Sequence, residues 1–537
     1  MNLTLKSLQK DEKLWMQADV SLPKFDLEKV WNKTKSEPKW LHFGAGNIFR
    51  GYIAQLGQVL LEEGYEDSGI IAADCFDGEM IDRIYKPYDN MTLFVGLKAD
   101  GKHDRKVIAS IAEALKSGNE SETDGERLKE IFRSPSLQMV SFTITEKGYG
   151  LRDFSGNFLP VVSSDIENGP QNAKHMMSVL TALMWERFQN NAMPVALVSM
   201  DNCSHNGDKL KDSVLLIANK WYENKFVTQD FLEYLNDSQK VTYPWSMIDK
   251  ITPRPDIRIA ERLATDGIEE MNPITTAKNT YIAPFVNAEM PQYLVVEDSF
   301  PAGRPMLEKA GVYFTDRETV DRTERMKVTT CLNPLHTSLA VMGCLLGFDK
   351  ISDEMNDADL KAMVEKLGYM EGIPVVIHPG IIHPEDFLKE VLEERLPNPF
   401  LPDTPQRIAT DTSQKISIRF GETIKAYESK NMQNELRIIP VVIAGWLRYL
   451  LGKDDNWNDM ELSSDPMLSE LQSKLSEIKL GDTKVDMSPI RSILSNIAIF
   501  GTDLCANGMS GEIEKNFIKM IEKKGAVREL LHKTVIS

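Results

Sequence analysis

Cysteine is scarce in this chain. Five cysteines (Cys75, Cys203, Cys331, Cys344, Cys505) are scattered over 537 residues, with no CxxC pair and no cysteine–histidine cluster at zinc-ligand spacing. That pattern excludes a disulfide framework and a structural zinc site, and no metal is expected. No run of about 18 apolar residues occurs, so no membrane-spanning helix is expected. The N-terminal MNLTLKSLQKDEKLWMQ carries charges throughout and does not read as a signal peptide. Positive charge is in deficit: 62 Lys and Arg against 80 Asp and Glu give a net charge of −18. This argues against non-specific nucleic-acid binding. Internal repeats and low-complexity tracts are lacking too. The remaining expectation is a cytoplasmic protein, monomer or small homo-oligomer, acting on small molecules without nucleic-acid or membrane partners.

What is present is an ordinary globular composition, 42% hydrophobic and 26% charged, in a chain too long for one core. Residues 1–37 read as a polar leader. A short apolar strand at 39–43 runs into Gly44-Ala45-Gly46-Asn47-Ile48-Phe49-Arg50, and helical spacing follows over 51–63. Strand, glycine turn and helix is the context in which a turn holds a pyrophosphate at a helix N-terminus, although Phe49 stands where G-x-G-x-x-G has its third glycine. The next strand, 69–73, ends at Asp74, where such folds carry the carboxylate for the adenine ribose; Asp77 is a second candidate. An acid here favours NAD over NADP by repelling a 2′-phosphate. Strands are expected at 91–97, 139–145 and 194–200, and helices at 107–115, 127–132 and 173–190. The strand at 139–145 ends on Thr145-Glu146, polar residues suited to the ligand-facing edge of an open sheet, and the strand at 194–200 ends on the polar loop Asp201–Gly207. This alternation predicts an α/β fold with a Rossmann-type doubly wound sheet over 38–285, followed by a mostly α-helical domain over 286–537.

In the helical part, E-R-M-K-V-T-T-C-L-N-P-L-H (324–336) brings Lys327, Asn333 and His336 within ten residues. Asn333-Pro334 reads as an N-cap followed by the first helical position, with Asn333 and His336 on one edge of the first turn. Burial is what makes a lysine available for proton exchange near neutral pH, and an amide and an imidazole can hydrogen-bond a carbonyl or alkoxide oxygen. Asp249 sits in an apolar run and needs a partner, for which Lys250 and Arg254 are at hand. Arg407 and Lys415, eight apart in a segment of helical spacing over 408–419, would share a helix face.

Seven motifs in this order resemble the polyol-specific long-chain dehydrogenase (mannitol dehydrogenase) family: HFGAGNIFRG at 42–51, TITEKGY at 143–149, SMDNCSHNG at 199–207, YPWSMIDKITP at 243–253, VVEDSF at 295–300, KVTTCLNPLH at 327–336 and PNPFLPDTPQRIATDTSQK at 397–415. The resemblance implies NAD as cofactor and Lys327 as general acid/base, with Asn202 and Asn333 polarising the carbonyl and His336 contacting substrate. It carries further substrate-site roles onto Asp249, Arg407, Lys415 and Glu324. Cofactor contacts are expected at Gly44, Gly46, Asn47, Ile48, Phe49, Arg50, Asp74, Thr145 and Glu146. The implied activity interconverts a keto-sugar acid and its aldonate, D-fructuronate and D-mannonate. D-mannitol with D-fructose, or tagaturonate, is the alternative within the class, and a nucleotide-binding sensor the alternative outside it. In one place the chain departs from the pattern. Many members have five residues from lysine to asparagine and a small pair before the histidine; here Lys327 to Asn333 is six, and Pro334-Leu335 replaces the pair. A bulge could take up the extra residue and leave the lysine in place.

Overall fold

A computed structural model describes residues 1–117, 121–482 and 484–536. It divides into two compact units, one of Met1–Lys98 with Lys102–Asp321 and one of Arg322–Ser537 with Ala99–Gly101.

The first unit is built on six parallel strands, β1 (Trp40–Phe43), β2 (Ile70–Asp74), β3 (Ile111–Lys116), β4 (Met139–Phe142), β5 (Val195–Ser199) and β6 (Val241–Thr242). Their spatial order is 3-2-1-4-5-6, the doubly wound dinucleotide-fold order, in which the strand order reverses between β1 and β4. Alternate residues feed two separate cores. Leu41, Phe43, Ile71, Ala73, Val140, Phe142 and Leu197 face one, while Trp40, Ile70, Ala72, Met139, Ala196 and Val198 face the other. Helices α1 (Ala54–Glu62), α2 (Glu122–Arg133), α3 (Met176–Gln189) and α4 (Asn206–Glu223) lie between successive strands in the chain. Burial on both faces explains why these strands read as apolar runs in sequence.

Three expectations are corrected. The helix expected over 107–115 is two strands, His103–Ile108 and Ile111–Lys116, turning at Ala109-Ser110. The first pairs antiparallel with Thr92–Leu97 and the second parallel with β2, so tertiary pairing of β-branched residues overrides the local helical spacing. Residues 1–37 are not a detached leader: Leu3 and Trp15 are fully buried, and Val20–Ser21 pairs with Arg105–Lys106. The first unit also runs past 285. Phe285–Glu289 pairs with Thr92–Leu97 and Tyr293–Glu297 with Ser246–Asp249, which ties these segments to the first unit as far as Asp321.

The second unit is helical. Helix α5 (Asn333–Leu346) packs on α6 (Ile438–Tyr449), every residue of which is buried, and α6 packs on α7 (Ser510–Ile521). The helix expected over 408–419 is broken. Pro405–Ile408 ends, Asp411 adopts φ 53°, and Thr412–Ile416 begins anew. Asp465 holds the break by accepting from the Ser413 N–H (2.8 Å) and hydroxyl (2.6 Å). Arg407 and Lys415 therefore sit on two helices rather than one face of one.

Candidate active-site residues in the two units

In the first unit the glycine turn follows β1 directly. Gly44 has φ 103°, and a Cβ there would lie 2.1 Å from the Thr143 carbonyl oxygen, so only glycine fits between β1 and β4. A Cβ on Gly46 would meet nothing within 4 Å, which leaves the outer side of the turn open to a ligand. The carboxylate of Asp74, at the end of β2, accepts from the N–H groups of Ala45 (3.1 Å), Phe76 (2.9 Å) and Asp77 (2.7 Å). Burial raises its pKa and the three N–H donors oppose that rise. Asp77 is tied instead to the Thr276 hydroxyl at 2.6 Å.

The turn is held from below by a chain of hydrogen bonds. Trp40 Nε1 can only donate and gives its proton to Ser141 Oγ (2.7 Å); Ser141 lies 2.7 Å from His42 Nδ1, and His42 Nε2 lies 2.8 Å from Thr143 Oγ1. Thr143 donates to the Gly44 carbonyl at 3.2 Å. This direction assigns His42 as the neutral Nε2–H tautomer. Phe49 stacks on the same imidazole at 4.3 Å. Phe49 and Arg50 are fully buried, and the Arg50 guanidinium donates to the Ala283 carbonyl (2.7 Å) and Asn47 Oδ1 (2.8 Å). The two side chains therefore serve the turn's interior. A contact from either residue to the expected cofactor would therefore come from its backbone. Asn47 and Ile48 are half-buried.

Past β4, Thr145 has φ 64° and ψ 158°, a conformation strained for a β-branched residue. Asp201, just beyond β5, stabilises it: its carboxylate accepts from Ile144 N (3.0 Å), Thr145 N (2.8 Å) and the Tyr149 hydroxyl (2.6 Å). Sequence reasoning missed this role for Asp201, for which an acid ending a buried strand was the only signal. Glu146 is exposed and pairs with Lys209. Asn202 is exposed on the following loop, and Asp249 ends strand Ser246–Asp249, buried.

In the second unit Lys327 is 2% exposed. It opens a π turn, Lys327–Cys331, closed by Leu332 N donating to the Lys327 carbonyl at 3.0 Å. A π turn holds one residue more than an α turn and often marks functional sites, so the six-residue spacing to Asn333 is accommodated as a bulge. Leu332 breaks the helix (φ −129°, ψ −62°), and its carbonyl accepts from His336 N at 3.0 Å. Leu332 thus holds the N-cap position and Asn333 is the first helical residue, so the helix begins one residue earlier than expected. That shift matters, because the Asn333 amide is not used as a cap; among the described residues it has no hydrogen-bond partner. Asn333, His336 and Thr337 fall on one edge of α5. Glu324, half-buried, lies in the last turn of helix Arg317–Met326.

Cations surround His336. Burial foremost, then the charges of Arg419, Arg407, Arg395 and Lys415, pull its pKa down to about 3, so it is a neutral imidazole at physiological pH. Asp403 Oδ2 is 3.4 Å away, yet Nε2 has no hydrogen-bond partner. Asp403 instead pairs with Arg407, an exposed residue. Lys415 Nζ donates to the Thr410 carbonyl at 2.5 Å.

Residues 38–309 match the Mannitol dehydrogenase Rossmann domain and residues 319–521 the Mannitol dehydrogenase C-terminal domain. The chain belongs to the mannitol dehydrogenase family. It is accordingly an oxidoreductase, and its two compact units correspond to the family's two domains. It is 53% identical over 530 residues to a D-mannonate oxidoreductase of Thermotoga maritima, covering 98% of each chain. The fold is that of a D-sorbitol dehydrogenase solved in substrate-free form (TM-score 0.79, 23% identity, 97% of this chain and 98% of that one). It is also that of Pseudomonas fluorescens mannitol 2-dehydrogenase, solved as a ternary complex with NAD and D-mannitol (TM-score 0.69, 24% identity, all of both chains).

Proposed function

We propose that this chain is an NAD-dependent, cytoplasmic reductase that converts D-fructuronate to D-mannonate and, in reverse, oxidises the aldonate. The observation that carries the reading is the buried Lys327 at the π turn leading into α5, whose first turn presents the uncommitted Asn333 amide and the neutral His336. The 53% identity to a protein named D-mannonate oxidoreductase supports the choice of substrate. The surplus of cations around His336 favours a substrate bearing a carboxylate over a neutral polyol.

The first unit fits a dinucleotide. The open side of Gly46 and the N–H groups of the turn suit a pyrophosphate, and Asp74 suits a ribose diol while repelling a 2′-phosphate. NAD, when bound, supplies or accepts the hydride. Lys327 Nζ gives a proton to the ketone oxygen in reduction and takes it back in oxidation. The amide of Asn333 donates a hydrogen bond to that oxygen as negative charge gathers on it. His336, neutral, donates or accepts a hydrogen bond at Nε2 without adding a charge, and Glu324 adds a polar group on the same unit. The test offers the full chain NADH with D-fructuronate, D-tagaturonate and D-fructose in turn, following loss of NADH absorbance. D-Fructuronate is expected to turn over fastest. Turnover of D-fructose alone would overturn the proposal, and NADH binding without turnover of any of the three would replace the enzyme by a sensor.

A further inference from the structure

The cations that bear on His336 differ in how their charge is met. Arg407 is neutralised by Asp403, and Lys415 is held by a backbone carbonyl with Asp411 and Asp465 nearby. Arg419 differs. It is half-buried in a second π turn, Ser417–Gly421, and Nη1 donates to the hydroxyl of buried Thr337. Among the described residues it has no carboxylate partner. Thr337 follows His336 directly and lies one turn beyond Asn333, so this bond fixes the guanidinium on the edge of α5 that carries both. Arg419 also heads the charges acting on His336. A guanidinium in this position remains protonated, pulled down only to about 10 by burial, with no acid opposing that fall. Its remaining N–H groups form a fork suited to a carboxylate.

Resting on the proposed reading of the substrate as a sugar acid, we propose that Arg419, rather than Arg407 or Lys415, recognises the substrate carboxylate and so selects sugar acids over neutral polyols. Thr337 is the positioning residue that aims it. Arg419→Gln, Arg419→Lys, Thr337→Val and Arg407→Gln are compared in the full chain by steady-state kinetics with NADH and D-fructuronate. A carboxylate held equally in ground and transition states moves KM rather than kcat. Arg419→Gln is therefore expected to raise KM about 100-fold with kcat within about fivefold, the size expected for a lost charge-assisted pair. Arg419→Lys keeps the charge without the fork and should raise KM about tenfold; Thr337→Val should raise it about fivefold, and Arg407→Gln less than Arg419→Gln. If Arg419→Gln does not fold, the lysine and Thr337 variants carry the test. A KM unmoved by Arg419→Gln, or by both of those variants, would overturn the role of Arg419; so would a fall in kcat and melting temperature at constant KM, which marks a structural residue. Failure of the wild type to reduce D-fructuronate would overturn the function itself, a separate result.

Discussion

Acid should weaken the first unit through His42, and the structure sets the size of the effect. Burial holds this imidazole at about 3, against an ordinary 6.5, with its interaction with the accepting Gly44 backbone carbonyl opposing. A folded-state pKa lowered in this way means that, below 6.5, the unfolded chain binds a proton that the folded chain refuses until about pH 3. Stability due to His42 is thus complete above pH 6.5 and is lost as pH falls through the window from 6.5 to 3. The loss is about 1.4 kcal/mol per pH unit, or about 2 kcal/mol between pH 7 and pH 5. Asp74 and Asp201, whose burial raises their pKa, act in the opposite sense, because they take up protons more readily folded than unfolded. The raw pH dependence therefore mixes signs, and a variant isolates the term. His42→Asn removes the titrating ring; it costs stability at pH 7 by breaking the chain from Trp40 to Gly44, but it cannot lose the same protonation energy on acidification. Urea unfolding followed by tryptophan fluorescence, in which Trp40 is one reporter, measures both proteins at pH 7 and pH 5. The gap between them should narrow by about 2 kcal/mol. Parallel losses, with the gap constant to about 0.5 kcal/mol, would refute a neutral, buried His42.

The other predictions concern proton transfer and the cofactor turn. Lys327→Met keeps an apolar stem of similar length and removes the buried amino group, so turnover should fall by about 10²–10⁴-fold while calorimetric NADH affinity and melting temperature hold; turnover close to wild type would remove Lys327 from the reaction. Gly44→Ala puts a Cβ against the Thr143 carbonyl at φ 103°. It should lower NADH affinity at least about tenfold and also the melting temperature, since β1 and β4 must part; unchanged affinity would show that the turn does not hold the nucleotide. Asp201→Ala leaves the N–H groups of Ile144 and Thr145 unpaired, at a cost of about 1–3 kcal/mol each, and releases the strain at Thr145. Its melting temperature should fall by several degrees, and an unaltered melting curve would mean that the Asp201 bonds do not stabilise the strained backbone.

How far the sequence could be read depends on where the information lies. The sheet was legible because both faces of each strand are buried: four or five apolar residues in a row between glycine-rich or polar ends leave little choice. The nucleotide turn was legible because Gly44 has no room for a Cβ, a constraint that one residue type alone meets. The segment 107–115 was misread because its partners, Thr92–Leu97 and β2, are distant in sequence, and local spacing carries no trace of them. A motif fixes the backbone path and not where each side chain points: the side chains of Phe49 and Arg50 turn into the core to hold the loop, which the motif alone does not tell. Arg407 and Lys415 were placed on one helix, and the break at Asp411 came from Asp465, some fifty residues on. Arg419 was overlooked for a related reason. Nothing in Ser-Ile-Arg-Phe-Gly distinguishes it from a surface arginine until Thr337 takes hold of it. The six-residue step from Lys327 to Asn333 was visible as a departure, and its outcome follows from a rule that sequence alone could not apply. A helix can keep an extra residue by widening one turn, and Leu332 then ends that turn so that Asn333 starts α5 with its amide unspent.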